Sequence, residues 1–307
     1  MNDSVVSHSE IAIAEGSKSF AAAAKIFDRQ TRNDAVMLYA WCRHCDDVID
    51  GQTLGHSQKK DFAKGQRARL KDLKRQTNLA LSGKPVSNSS FEALRRVVER
   101  RNIPTRHLNE LLAGFEMDVN GRKYHTIEDT LEYCYGVAGV VGVMMAMIMG
   151  ARDPKVIDRA CDLGLAFQLT NIARDVIDDA RVGRLYLPEA LLRRHGIAEI
   201  DADDRTQWPK LHSAALELLD LAERYYASAR VGIEALPLRS AWAIAAARRI
   251  YRDIGGKLRA SGPGAWEKRV STSKGRKIAM LGLGFFDAMM SRFKGPPPPR
   301  DGLWQRP

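Results

Sequence analysis

Nine residues constrain this chain more than any others: Asn171-Ile-Ala-Arg-Asp175-Val-Ile-Asp178-Asp179. Read as a helix, they repeat a polar side chain every four positions. Asn171, Asp175 and Asp179 then share one face, spread over about 12 Å at 1.5 Å per residue. Gly164 and Gln168 extend that stripe upstream, and Arg174 and Asp178 flank it. The remaining positions, Leu165, Phe167, Leu169, Ile172, Val176 and Ile177, are apolar, as in a buried helix. Buried carboxylates without partners are costly and give up their charge, so something cationic should meet these.

A second stretch poses the same problem. Tyr39-Ala-Trp-Cys-Arg43-His-Cys-Asp46-Asp47-Val-Ile-Asp50 places Tyr39, Arg43, Asp46 and Asp50 at i, i+4, i+7 and i+11, one helical stripe. If the two helices face each other, Asp46, Asp50, Asn171, Asp175 and Asp179 converge. Five oxygen-bearing ligands without His or Cys suit a hard cation, magnesium above all. Magnesium shares its shell with phosphates, and Arg43 and Arg174 would supply forked donors for the same phosphates. A calcium loop is excluded, because Asp46 to Asp50 lacks its alternating acids and central Gly.

Charge narrows the partners. A net charge of +11 favours anions: phosphates, anionic lipid or nucleic acid. The basic runs Lys64–Lys71 and Arg95–Arg101 are not interleaved with aromatics and carry no nucleic-acid motif, so they read as solvated helix faces and no nucleic-acid partner is expected. Cys42-x-x-Cys45 lies mid-helix without a second pair, Cys134 and Cys161 stand apart, and a reducing cytoplasm is the default. Acids and polar residues interrupt the first 15 positions, so no signal peptide is read there.

Along the chain, Ser17-Lys-Ser19-Phe20 at a helix start fits either an N-cap or an anion site. Helices are expected from about 33 to 50, on to about 81, from 91 to 101, 105 to 119, 208 to 235 and 238 to 260. Gly51 to Ser57 reads as a loop able to close over the first acidic helix, and Ser82 to Ser90 as a break. Tyr133 to Ala151 has no charge over 19 residues, long enough to span a membrane, yet is read as buried. Its Gly136, Gly139 and Gly142 allow close helix packing or form the wall of a long apolar cavity, with Met144, Met145, Met147 and Met149 as adaptable lining or core filler. Gly183-Arg184-Leu-Tyr186-Leu-Pro188 sets a cation and a phenol beside the acidic helix. Lys268, Arg269, Lys274, Arg276 and Lys277 form a basic cluster, and Ile278 to Phe293 is apolar, either core or an interfacial helix. Residues 1–294 are taken as one all-α domain, and 295–307, opening with Pro296 to Pro299, as a stiff, loose Pro-rich tail.

These motifs, in this order and over nearly the whole length, resemble the squalene/phytoene synthase family, and most of all its bacterial, carotenoid-forming branch. The resemblance rests on Ser17–Phe20, Tyr39–Asp50, Tyr133–Gly142, Leu165–Asp179 and Gly183–Pro188. It implies the all-α isoprenoid synthase fold, with helices around a central apolar cavity. It also implies head-to-head condensation of two geranylgeranyl diphosphates, through a cyclopropylcarbinyl diphosphate, to phytoene. The implied cofactor is Mg²⁺ or Mn²⁺, two or three ions, with no NADPH required. Asp46, Asp50, Asn171, Asp175 and Asp179 match the family's metal-binding positions. Tyr39, Arg43, Arg174 and Tyr186 match catalytic positions. Ser17, Ser19, Phe20, Tyr133, Val137, Gly142, Gln168, Arg184 and Arg269 match substrate-binding positions, Arg269 in variable surroundings. Tyr39, Tyr186 or the released diphosphate could take the final proton.

The nearest rival is a squalene or dehydrosqualene synthase using two farnesyl diphosphates, since chain length depends on where the cavity is plugged. A terpene cyclase would end its second motif in Ser/Thr and Glu, whereas this chain has Asp175 and Asp179. A head-to-tail prenyltransferase would carry Asp-Asp-x-x-Asp on both helices. A non-catalytic, membrane-associated assembly factor would lose acids that are all present here. Long lipid substrates and a basic chain predict a cytoplasmic protein held peripherally at the inner face of the cell membrane, with possible contact to neighbouring pathway enzymes.

Overall fold

The computed structural model describes residues 3–55, 61–86, 88–293 and 299–307, and among them the regular structure is helical, with no strand. The helices are α1 Ser4–Gly16, α2 Lys18–Ala24, α3 Arg29–Asp50, α4 Gln66–Leu81, α5 Ser89–Arg101, α6 Thr105–Val119 and α7 Ile127–Cys134. After a π-turn at Tyr135–Gly139 come α8 Val140–Ile148, α9 Pro154–Arg181, α10 Glu189–Arg194, α11 Trp208–Gly232, α12 Leu238–Ser261 and α13 Lys274–Ser291. The expected all-α architecture is present.

Local chemistry sets the ends of the two acidic helices. Asp28 caps α3, accepting from the Thr31 amide at 3.0 Å, so the helix begins four residues before the expected 33. Gly51 ends it in the left-handed region at φ 61°, where glycine carries no Cβ penalty. Asp153 caps α9 and Pro154 fills its first turn, where a missing N–H costs nothing. Asp47 is spent on the loop after α3: its carboxylate accepts from the amides of Leu54 at 2.7 Å and Gly55 at 2.8 Å. The expected loop thus folds back on α3 as far as Gly55; His56 and Ser57 lie outside the described residues.

Helix α9 is the central strut, packed by α11, α8, α12 and the π-turn. Its contact with the π-turn is backbone on backbone. A Cβ on Gly164 would stand 2.4 Å from the Ala138 carbonyl oxygen, and one on Gly142 2.4 Å from that of Ala160. A Cβ on Gly136 would likewise stand 2.8 Å from the Gly114 Cα of α6. The uncharged stretch 133–151 is therefore not one helix but α7, the π-turn and α8. Ile127–Ile148 is long and apolar enough to cross a membrane, yet 67% of its apolar window is buried within the protein.

The tail corrects one expectation. Pro296 to Pro298 lie outside the described residues, but 299–307 are docked rather than loose. Arg300 grips the fully buried Asp162 of α9 at 2.6 and 2.8 Å, Arg306 holds Asp158 at 2.6 Å, and the Trp304 ring lies 5.4 Å from that of Tyr135. Two arginines meeting two aspartates one helical turn apart outweigh the stiffness of the prolines before them.

Candidate active site

A cavity of about 720 Å³ runs between α3, α6, α8, α9, α11 and α12, well inside the range of small-molecule sites. Along α9 its wall extends from Val156 to Arg174, roughly 27 Å at helical rise. The lining of α3 and α9 turns from apolar (Ala35, Leu38; Val156, Leu163) to polar (Arg43, Asp46; Asn171, Arg174) in the same chain direction. Both readings of the glycine-spaced stretch hold, because Val137, Val141, Gly142, Met145 and Met149 line the cavity while Gly136 and Gly139 pack tightly.

Ser17, Ser19, Phe20, Tyr39, Arg43, Asp46, Tyr133, Val137, Gly142, Gln168, Asn171, Arg174 and Arg269 all line this cavity. Ser17 also caps α2, accepting from the Phe20 amide at 3.3 Å, so it serves both roles open to it. Asp50, Asp175, Asp179, Arg184 and Tyr186 do not line it; they stand beside its polar end, linked to it by charge. Among the described residues no three His, Cys, Asp or Glu side chains form a ready cage. Asp46, Asp50 and Asp175 each meet an arginine. Arg43 holds Asp46 at 2.5 Å, Arg174 donates to Asp175 at 2.8 Å with Arg269 at 3.3 Å from it, and Arg184 forks onto Asp50, at 2.9 Å on one prong. Like charges separate in a medium of low dielectric unless a cation stands between them.

The electrostatics show how much cation the site can take. Burial pushes the Asp46 carboxyl up to about 7 against the pull of Arg43, with Asp50 and Asp47 adding repulsion. Burial and then Asp175 hold Asp179 well above the usual range. Arg184 acts on Asp46, Asp50, Asp118 and Asp179 alike, and so is the internal counter-ion of the cluster. Donors that are all oxygen, on two helices at one end of the cavity, with burial opposing the charge of Asp46 and Asp179, fit hard divalent cations. The cysteines do not take part: burial raises the Cys42 thiol to about 12 and Cys45 well above its usual value.

Three residues that the sequence reading did not place in the site belong to it: Asp118, Tyr251 and Phe167. Asp118 of α6 accepts from Tyr186 at 2.9 Å and from Tyr133 at 3.2 Å, and burial pushes its carboxyl up to about 6. Its signal was legible: Leu111, Phe115 and Asp118 share one stripe at i, i+4 and i+7, and the first two line the cavity. Tyr251 and Phe167 stack at 4.2 Å, Phe20 lies 5.2 Å from Tyr251, and the Tyr251 hydroxyl meets Ser17 and faces Arg174. Nothing in the spacing of α12 reveals that pairing, because it depends on where α2 crosses. Tyr133 and Tyr186 stack at 4.5 Å, and burial holds the Tyr186 phenol well above its ordinary value.

Comparison with known proteins agrees with this architecture. The family model for squalene/phytoene synthase matches residues 13–276. The chain is 54% identical to the 15-cis-phytoene synthase of a Paracoccus species, over all of this chain and 99% of that one. It is 47% identical to the 15-cis-phytoene synthase of Pantoea ananas, over 100% and 99% of the two chains. Among solved structures, a dehydrosqualene synthase in complex with ligand superposes with a TM-score of 0.79 at 28% identity, covering 91% of this chain and 95% of that one. The all-α isoprenoid synthase fold is therefore this protein's fold, and the chain belongs to the squalene/phytoene synthase family.

Proposed function

We propose that this protein is a phytoene synthase, a prenyltransferase that joins two geranylgeranyl diphosphates head to head and releases phytoene and diphosphate. One observation carries the reading most of the way: charged side chains of α3 and α9 stand at one end of a cavity of about 720 Å³ whose wall beyond them is mainly apolar, Arg159 apart. The two near-full-length relatives at 54% and 47% identity, both phytoene synthases, support the substrate and the product.

Asp46, Asp50, Asn171, Asp175 and Asp179 would hold Mg²⁺ or Mn²⁺, two or three ions, which when bound supply positive charge for the leaving diphosphate. Arg43, Arg174 and Arg269, now on the acids, turn toward the diphosphate oxygens and add forked donors there. Ser17, Ser19 and Gln168 bind its outer oxygens. Arg184 holds Asp50 in place. Loss of diphosphate leaves an allylic cation, and the dry wall of Val137, Gly142, Phe20 and Tyr133 keeps water from it. Attack by the second substrate's double bond, with loss of a proton to the released diphosphate, closes the ring of the cyclopropylcarbinyl diphosphate; a second ionisation, rearrangement and a second proton loss give phytoene, without a hydride donor. Released diphosphate, an anion formed beside the cation, is the acceptor assigned here to the final proton, while burial favours the neutral form of the Tyr39 and Tyr186 phenols. Both tyrosines position charge instead, Tyr186 through Asp118 and Tyr39 through Arg43.

The reading includes a location. Substrate tails and product are hydrocarbons that water does not hold, so the enzyme works peripherally at the cytoplasmic face of the cell membrane, beside the enzymes that supply and consume them. Purified protein in detergent, given geranylgeranyl diphosphate and Mg²⁺ without nicotinamide, should yield the short conjugated triene of phytoene, and lose it with chelator and in Asp175→Ala. Turnover of farnesyl diphosphate alone would transfer the activity to the shorter chain; silence on both substrates would refute the enzymatic reading.

A further inference from the structure

Ten large apolar side chains stand exposed among the described residues, and six of them belong to α13 and the turn that follows it. They are Ile278 at 69%, Leu283 at 47%, Phe285 at 43%, Phe286 at 62%, Met290 at 43% and Phe293 at 78% exposed. Ile278, Gly282, Phe286 and Met290 recur at four-residue steps and Phe293 follows three later, one stripe about 22 Å long. The opposite face is committed to the fold. Gly284 lies against the Ala246 backbone, Ala288 is buried, and the Trp242 indole donates to the Leu281 carbonyl at 2.7 Å. The one carboxylate of the helix, Asp287, is held by Arg249 at 2.6 and 2.8 Å.

Cations border the stripe at the end that meets the cavity. Lys274 opens α13 exposed, and Lys268 stands exposed in the segment before it. Lys277, one turn into the helix, lines the cavity together with Lys18 and Arg269. Burial and then the nearby Lys18 hold the Lys277 ammonium below its ordinary value. The helix that carries the exposed hydrocarbon thus also supplies part of the cavity's basic rim.

Resting on the membrane location proposed above, we infer that the α13 stripe is the surface that seats the protein on an anionic bilayer, with the cavity rim at headgroup level. Apolar side chains over a row of lysines are the pattern that enters the interface of anionic lipid. A second copy is the poorer occupant: a two-fold contact along α13 would bring each copy's Lys268, Lys274 and Lys277 toward those of the other. Seated this way, substrate tails and product pass between bilayer and cavity beside α13 without crossing water.

The experiment is flotation of the full chain with phosphatidylcholine vesicles, with and without phosphatidylglycerol. The wild type should float with the anionic vesicles and release in high salt. Phe286→Glu/Phe293→Glu should reduce the bound fraction at least tenfold, and Lys268→Glu/Lys274→Glu should abolish the preference for anionic lipid. Both pairs are solvent-facing and should keep wild-type melting and detergent-supported turnover. Variants that float like wild type overturn the α13 assignment while leaving membrane attachment standing. A wild type that never floats overturns both, and detergent turnover then shows whether the enzymatic reading survives. An α13-dependent dimer in light scattering, without flotation, would assign the stripe to a second copy and refute the lipid.

Discussion

Two glycines of the same residue type and helical setting should respond oppositely to the same methyl group. At Gly164, in the middle of α9, an added Cβ would stand 2.4 Å from the Ala138 carbonyl oxygen and 2.7 Å from both the Ala138 carbonyl carbon and the Gly139 Cα. All three are backbone atoms of the π-turn, which has no flexible side-chain end to swing away. Restoring an ordinary contact of at least 3.4 Å requires α9 and the π-turn to part by about 1 Å, and overpacking of that kind costs about 1–3 kcal/mol beyond the roughly 1 kcal/mol that Gly→Ala gains in a helix. At Gly256, in α12, the same Cβ meets nothing within 4 Å. Gly256→Ala should therefore stabilise by about 0.5–1 kcal/mol. For a chain of this size about 2 °C accompanies each kcal/mol, so thermal melts of the two variants should lie roughly 3–8 °C apart on opposite sides of wild type. Ala138 and Gly164 both line the cavity, so Gly164→Ala should also lose turnover well below its melting point, whereas Gly256→Ala should not. Equal shifts of the two variants, or a stabilised Gly164→Ala, would refute the backbone-on-backbone contact and the cavity wall built on it.

Arg300→Ala should leave Asp162 buried with Ser228 as its remaining donor; losing one partner of a buried pair costs about 3–5 kcal/mol, read as a fall in Tm that Asp162→Asn in the same chain partly restores. The carboxyls of Asp46 and Asp118 should make the metal-free protein pH-sensitive. Their folded values lie above the unfolded 3.8, so their contribution is complete below that value and is lost as pH rises through about 6 and 7; for Asp118 it is at most on the order of 3 kcal/mol. Added Mg²⁺ with diphosphate should consequently raise Tm more near pH 8 than near pH 5.5, and an increment independent of pH would show that these acids do not meet the cation. Tyr186→Phe should keep most of its turnover, because the phenol is not the base; loss of at least a hundredfold in kcat, with the protein still folded, would return that role to it.

The tertiary structure adds to the sequence reading most where backbones meet. Spacing alone places Tyr39, Arg43, Asp46 and Asp50 on one face, and Asn171, Asp175 and Asp179 on another, because helical periodicity is local. It also places Leu111, Phe115 and Asp118 together, a stripe whose last member is easily passed over as the polar end of α6. The π-turn at Tyr135–Gly139 is invisible to periodicity: an uncharged run reads as one helix, and the extra residue per turn appears once α6 and α9 press against Gly136 and Gly139. The docked tail is equally hidden, since Asp158 and Asp162 read as the solvent face of α9 until Arg300 and Arg306 are laid over them.

By itself the sequence determined the all-α class, the two acidic stripes and the oxygen-only chemistry they offer, because these follow from residue type and a 3.6-residue period. The tertiary structure decided which arginine meets which acid, that Asp118 holds Tyr133 and Tyr186, that Tyr251 and Phe167 close the polar end, and that α13 turns its phenylalanines outward. Those outcomes depend on packing between segments far apart in the chain, where the distance and angle at which helices cross set each contact, and no local pattern records that angle.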